Sequence, residues 1–538
     1  MATKSTSKNA PTEGAKVVYD RLTTERDNYT QRAENCATYT IPQLFPKESD
    51  DGGTNYETPY NSVGARGVNN LASKLLLALL PAGQPFFRLG LDNDSMIAMN
   101  QSGDDQMKDS IEYGLSLMEQ LIQKYMEQQS VRPTLFELIK QLIVAGNALL
   151  FLPPAEGGMK CYNLRNYVVE RDAVGNVLQI VARDILARGS LPESLQSLLG
   201  ESSTGDVNMA EKVEIYTHVY RVQGNEGDGT WESYQELNGE VISGSEQSYP
   251  LNKSPWIPVR FTKKDGESYG RSFVEDYLGD LISLENLSKA VVDMSMISAK
   301  VLYLVSPSSL TNIRALAKAD NGTFVKGRPE DVVPMQLNKS LDMQIVTSTI
   351  QDITLRVSRA FLLNSSVQRQ GERVTAEEIR YMANELEATL GGVYALLSQE
   401  LQLPLVSCIF NQMQSQGLLP SLTGDTSGGS GGVEIEPTII TGVDALGRGQ
   451  DASNLTQAIA LIAQLGEGAL SSINIDNLAM RIFTAFHIDA TGLVKSPDEM
   501  AQEQQEAMQQ YAEQQNVDAG AQMAIDNNKA RAQQQQQQ

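Results

Sequence analysis

Few residues of this 538-residue chain have the types and spacing that chemistry requires. Asp92 and Asp94 could hold a divalent cation such as Mg²⁺ between paired carboxylates, but Leu91-Asp92-Asn93-Asp94-Ser95 reads better as a polar loop or helix cap. The two histidines are far apart, and Cys36, Cys161 and Cys408 are scattered. Neither set has the close ligand spacing of a zinc site, so no metal is expected. His218 falls in an alternating run and reads as a residue on the polar face of a strand; His487 reads as a helix-end residue. A glycine run at 428–432 lies in a polar stretch without the G-x-x-x-x-G-K-[ST] pattern of a phosphate-binding loop. No catalytic residue and no cofactor is expected, and the chain reads as something other than an enzyme.

Charge says more. The chain has 66 acidic against 43 basic residues, a net charge of -23, which repels nucleic acid wherever basic groups do not cluster. Between residues 353 and 376 the balance reverses. Arg356, Arg359, Arg369 and Arg373 face one acidic residue, Glu372, so this stretch is a candidate for transient phosphate contact. The same arginines could equally pair with acidic side chains of a neighbouring helix or subunit.

The elements that must position these arginines are long helices. Over 272–299, Phe273, Tyr277, Leu281, Leu284, Leu287, Val291 and Val292 recur at helical spacing. A second long helix is expected over 375–417, opened by Thr375 and Glu378 as a T-x-x-E capping box and kinked at Pro404. It would span roughly 64 Å at about 1.5 Å per residue, far beyond an ordinary globular helix. Striped rods of that length need partners of similar length, within the chain or in other copies of it.

The remaining chain divides by pattern. Residues 12–151 read as helices over 12–39, 62–80, 109–128 and 134–151. Residues 160–262 read as a mainly antiparallel β region, with Asn238-Gly239 as a type I′ hairpin turn. Residues 301–344 form a compact insert between helices, and 345–363 a returning helix. A loop covers 364–374, a linker and strand 418–450, helices 451–495, and 496–538 a last helix with a disordered, glutamine-rich tail. The fold class is α+β, mainly helical. The apolar runs 75–80 and 142–152 are too short for membrane spans, so no membrane contact is expected, and the three scattered cysteines fit a reducing compartment.

Several long strings add a resemblance. ENCATYTIPQLFP (34–46), VGARGVNNLASKLLLALLP (63–81), DLISLENL (280–287), ERVTAEEI (372–379), GGVYALL (391–397) and TGVDALGR (441–448) occur in this order. On these strings the chain resembles the portal, or head-to-tail connector, proteins of T7-like short-tailed bacteriophages.

That resemblance implies a ring, usually of twelve copies, built of wing, stem, clip and crown around an axial channel for double-stranded DNA. The wing would be 1–267, the stem helices 268–300 and 345–363, the clip 301–344, the tunnel loop 364–374, the wing-to-crown helix 375–417 and the crown 451–495. It further implies major capsid and scaffolding proteins, the large terminase subunit, and tail adaptor and internal core proteins as partners. The location would be the portal vertex of the virion, after assembly in the host cytoplasm. Alternatives are a tail tube or adaptor ring, or a Mg²⁺-dependent packaging nuclease or ATPase using Asp92 and Asp94.

Overall fold

The computed structural model describes residues 13–81, 86–91, 105–154, 158–196, 211–222, 229–299, 303–308, 311–334, 340–363, 392–420 and 435–439, with a few single residues between them. All belong to the first of two compact units, Met1–Ala445. Asp92, Asp94, Arg369, Arg373, Thr375, Glu378 and His487 lie outside the described residues, as do the expected loop 364–374, the glycine-bearing linker, the helices 451–495 and the segment 496–538.

Helix α1 (Ala15–Thr38) lies across α4 (Val131–Ala145), while α2 (Val63–Leu79) packs along it. Leu71, Leu75 and Leu79, about one turn apart on α2, share the buried core with Leu135, Leu138, Ile139 and Leu142 of α4. Helix α3 (Asp105–Gln128) adds Leu115, Met118 and Ile122, and strand β1 (Phe87–Leu91) adds Phe87 and Leu89. Gly64 and Gly67 of the VGARGVNN string allow close approach. A Cβ on Gly67 would meet Phe361 at 2.7 Å, and one on Gly64 the Tyr39 carbonyl oxygen at 2.6 Å.

The helix expected over 134–151 is shorter than its apolar run. At Gly146 the backbone turns left-handed (φ 74°), and a Cβ there would sit 2.6 Å from the Arg271 carbonyl carbon. The next residues form β2 (Asn147–Phe151), a buried strand between β10 (Trp256–Arg260) and β3 (Lys160–Tyr162). Leu149 and Leu150 are therefore strand residues, a correction the apolar run alone could not supply, because a buried strand and a buried helix share that composition.

The larger sheet is antiparallel: β4 (Tyr167–Arg171), β5 (Val177–Ala187), β6 (Lys212–Val222), β7 (Thr230–Leu237) and β8 (Glu240–Val241), with β9 (Gln247–Pro250) also on β7. Asn238 (φ 53°) and Gly239 (φ 86°) make the expected tight hairpin between β7 and β8. One face carries Ile180, Ala182 and Val219 into the main core; the other meets Val18, Tyr19 and Leu22 of α1. His218 is consequently buried, a second correction. Its Nδ1 is 3.1 Å from the Tyr234 hydroxyl and its Nε2 2.9 Å from Gln179 Oε1. Burial, then the nearby Arg21 charge, lowers its pKa to about 4, so it is neutral at pH 7. The face assumed to be polar is roofed by a helix.

Candidate functional site: a helix pair with an uncovered apolar end

Helix α5 (Phe273–Ala299) starts where Ser272 Oγ accepts the Glu275 N–H at 3.0 Å. Just before it, Arg271 donates to Glu267 from Nη2 at 2.7 Å and Nε at 3.0 Å, and the Tyr29 hydroxyl of α1 donates to the same carboxylate at 2.8 Å. The Arg271 hydrogen bond, joined by that of Tyr29, lowers the Glu267 pKa to about 2. The root of α5 is thereby tied to the helical layer.

After α5, β11 (Tyr303–Val305) and β12 (Val332–Pro334) pair antiparallel, with the one-turn helix α6 (Ile313–Ala317) between them. Asn312 caps α6 by accepting the Ala315 N–H, and Thr311 donates to Asp331 at 2.7 Å. A strand pair and a short helix thus lie between the two long helices, among the described residues of 301–344. Helix α7 (Ser340–Ala360) returns alongside α5, starting five residues before the expected 345.

The pair α5–α7 is buried at only one end. Phe273, Leu281 and Leu284 meet Ile353, Val357 and Phe361, and the Phe273 and Phe361 rings cross at 83° with centroids 5.2 Å apart. Toward the insert the apolar side chains are open to solvent. Met296, Ile297, Tyr303, Leu304, Ile313 and Ile345 are each more than half exposed, and Phe324 is wholly so. Exposed apolar side chains gathered on one helix pair and the segment between them point to an interaction face.

Arg356 and Arg359 occupy neighbouring turns of α7. Arg356 Nη2 donates to Asp280 of α5 at 2.7 Å, and Arg359 is exposed. The structure therefore realises the pairing alternative for Arg356. At the end of α7, Leu362 is left-handed (φ 55°) and its carbonyl accepts from Asn70 Nδ2 and Lys74 Nζ, each at 3.0 Å. The chain enters residue 364 from a fixed post on α2.

Of the helix expected over 375–417, the described part is α8, which runs from Gly392 to Ser415; residues 375–389 and 391 lie outside the described residues. Pro404 does not kink it simply. Gly392–Leu397 is α-helical, Ser398–Gln402 takes one wider π-helical turn, and Leu403–Ser415 resumes the α form. The wide turn is clamped. Arg260 Nε and the Arg260 backbone N–H each donate to Glu400 at 3.0 Å, while Arg171 lies 3.9 Å from it. Burial lowers the Arg171 pKa to about 10, an effect Glu400 opposes. Elsewhere on α8, Gln402 Nε2 donates to the Leu79 carbonyl at 2.6 Å and the Tyr394 hydroxyl to Ala78 at 2.9 Å, supplying partners that the last turn of α2 lacks within its own helix. Among the described residues α8 is the one helix long and apolar enough to cross a membrane. Leu397, Leu401, Leu405, Val406 and Ile409 place it in the core instead. Also among the described residues, no cluster of histidine, cysteine and acidic side chains is arranged for a metal ion.

Residues 12–494 match the model of the bacteriophage head to tail connecting protein family. The portal protein of Enterobacteria phage T3 is 50% identical over 95% of this chain and 92% of its own length. That of Escherichia phage T7 is 47% identical over the same shares, and that of Pseudomonas phage phiKMV 32% identical over 90% of this chain and 92% of the relative. The solved neck of an empty gene transfer agent particle aligns at a TM-score of 0.34 with 13% identity, covering 74% of this chain and 86% of that one, too slight a likeness to bear on the fold. With a family match across nearly all its length and portal proteins among its relatives, this chain belongs to the bacteriophage head to tail connecting proteins.

Proposed function

We propose that copies of this chain assemble side by side, around an axis, into the ring-shaped DNA channel at one vertex of a phage capsid, through which the genome is packaged and ejected. The observation that carries this reading is the half-uncovered pair α5–α7 with its apolar end, which a neighbouring copy would cover. The kinship with portal proteins supports the reading, on which the ring would hold about twelve copies, with wing, stem, clip and crown laid out along the chain as the resemblance implies. The acid excess suits a bore along which a duplex slides, since a duplex bears about one negative charge per 1.7 Å. Arg359, with Arg369 and Arg373, would supply brief phosphate contacts, whereas Arg356 braces the helix pair through Asp280. Double-stranded DNA, capsid and scaffolding proteins, the large terminase subunit, and tail adaptor and internal core proteins are the proposed partners, in the virion and, during assembly, in the host cytoplasm. The chain acts as conduit and docking platform, with the force for packaging supplied by a separate ATP-hydrolysing motor.

Mass measurement of the native assembly with electron microscopy of single particles tests the proposal. Closed rings with a central hole are expected. A chain that stays monomeric at every concentration and salt tested would overturn it.

A further inference from the structure

The dipeptide Asn-Gly occurs twice in the chain, at Asn238-Gly239 and Asn321-Gly322, and both pairs are exposed. Glycine has no side chain to keep its backbone nitrogen away from the amide of the asparagine before it. The structure holds the two pairs differently. Asn238 is itself left-handed (φ 53°) and sits between ladder pairs: Leu237 faces Glu240, Glu236 faces Val241, and the Ile242 N–H donates to the Gln235 carbonyl at 2.8 Å. Bringing its amide onto the Gly239 nitrogen would require the backbone to swing and the hairpin to open. Asn321 and Gly322 are instead the middle of a turn closed by Thr323 alone, whose N–H reaches the Asp320 carbonyl at 3.1 Å and whose hydroxyl donates to the same oxygen. Neither arm of this turn is paired in a ladder, and every residue from 319 to 324 is exposed. Gly322 is left-handed (φ 88°), and a Cβ placed on it would meet no atom within 4 Å, so the space around it is open.

From this contrast we propose that Asn321 is a site of spontaneous deamidation, while Asn238 is shielded by its hairpin. The Gly322 backbone nitrogen attacks the side-chain carbonyl carbon of Asn321. A new C–N bond forms, the side-chain amide leaves as ammonia with the proton that nitrogen gives up, and a five-membered succinimide results. Water then opens the ring at one carbonyl or the other, giving aspartate or isoaspartate. Either product changes the insert between α5 and α7. Within 311–328, Arg314, Lys318, Lys326 and Arg328 are all exposed and stand against one acid, Asp320. Thr311 Oγ1 accepts the Arg328 N–H at 3.2 Å, so the stretch carrying Lys326 and Arg328 is tied to the start of α6, which carries Arg314. A carboxylate at position 321 lowers the positive excess of this segment by one charge. The isoaspartate form also adds a methylene carbon to the main chain three residues before Phe324, whose ring is wholly exposed. The modification site does not depend on the channel reading.

The test ages the full chain in mildly alkaline buffer, folded and in urea, and follows each asparagine by peptide mass spectrometry. Isoaspartate is read separately, as radioactive methyl transferred by an isoaspartyl methyltransferase. In the folded chain, conversion at Asn321 should run about tenfold or more ahead of that at Asn238, because the hairpin must open before its asparagine can react. In urea the two rates should converge, since the dipeptide is the same and only the fold sets them apart. Asn321→Gln, whose longer side chain closes a ring far more slowly, should lose most of the methyl label gained by the folded chain. Conversion at 321 no faster than at 238 in the folded chain, or a methyl label undiminished in Asn321→Gln, would overturn the assignment.

Discussion

Glu400 has a role that its place in the sequence does not announce. It receives Arg260 through side chain and backbone in a setting where Arg260 is 3% and Glu400 15% exposed. Its removal would leave two buried guanidinium groups without their counter-charge. Glu400→Ala is expected to cost about 3–5 kcal/mol in urea unfolding, far more than an exposed ion pair such as Arg21 with Glu13. His218 gives a pH signature. Its folded-state pKa lies near 4 against an ordinary 6.5, so below pH 6.5 the unfolded chain takes up a proton that the folded site refuses. Stability should therefore decline as pH falls from 6.5 toward 4, and His218→Gln should flatten that decline in thermal unfolding at pH 7 and pH 5. Glu267 works in a lower window: with its pKa held near 2 against an ordinary 4.5, its contribution is complete above 4.5 and lost as pH falls through 2.

At the scale of elements, most helices were legible because their stripes are regular: 12–39, 62–80 and 109–128 coincide with α1, α2 and α3 to within a few residues. The failures have physical causes. β2 hid inside an apolar run because α4 ends at Gly146, whose left-handed backbone and missing Cβ admit the Arg271 backbone, 125 residues distant. The strand β1 escaped notice because its partner is β13 (Ile435–Ile439), far along the chain, where a strand was expected but its pairing with β1 was not. Packing between α2 and α7 offers a direct check. Gly67→Ala would drive a methyl group into the wholly buried Phe361 and should destabilise by about 1–3 kcal/mol, read as a lower denaturation midpoint.

At the scale of the whole molecule, fold and assembly should be separable. Ile297→Asp together with Ile345→Asp places charges on side chains that are already solvent-exposed in one copy. Circular dichroism should be unchanged while the yield of rings falls, whereas rings in normal yield would move the contact between copies elsewhere. Arg369→Glu with Arg373→Glu should leave rings intact and lower the DNA packaged per particle. The wide turn in α8 has a consequence for phase. Leu397, Leu401, Leu405, Ile409 and Met413 are buried at intervals of four, and in an unbroken α-helix at about 100° per residue each such step would advance the stripe by roughly 40°. One surplus residue in the π turn takes back about 100° of that rotation, so the same greasy seam faces inward from end to end. Trimming a single residue from 398–402 would thus act like a slipped thread on a screw, clocking the upstream rod and whatever it carries out of register with the downstream half.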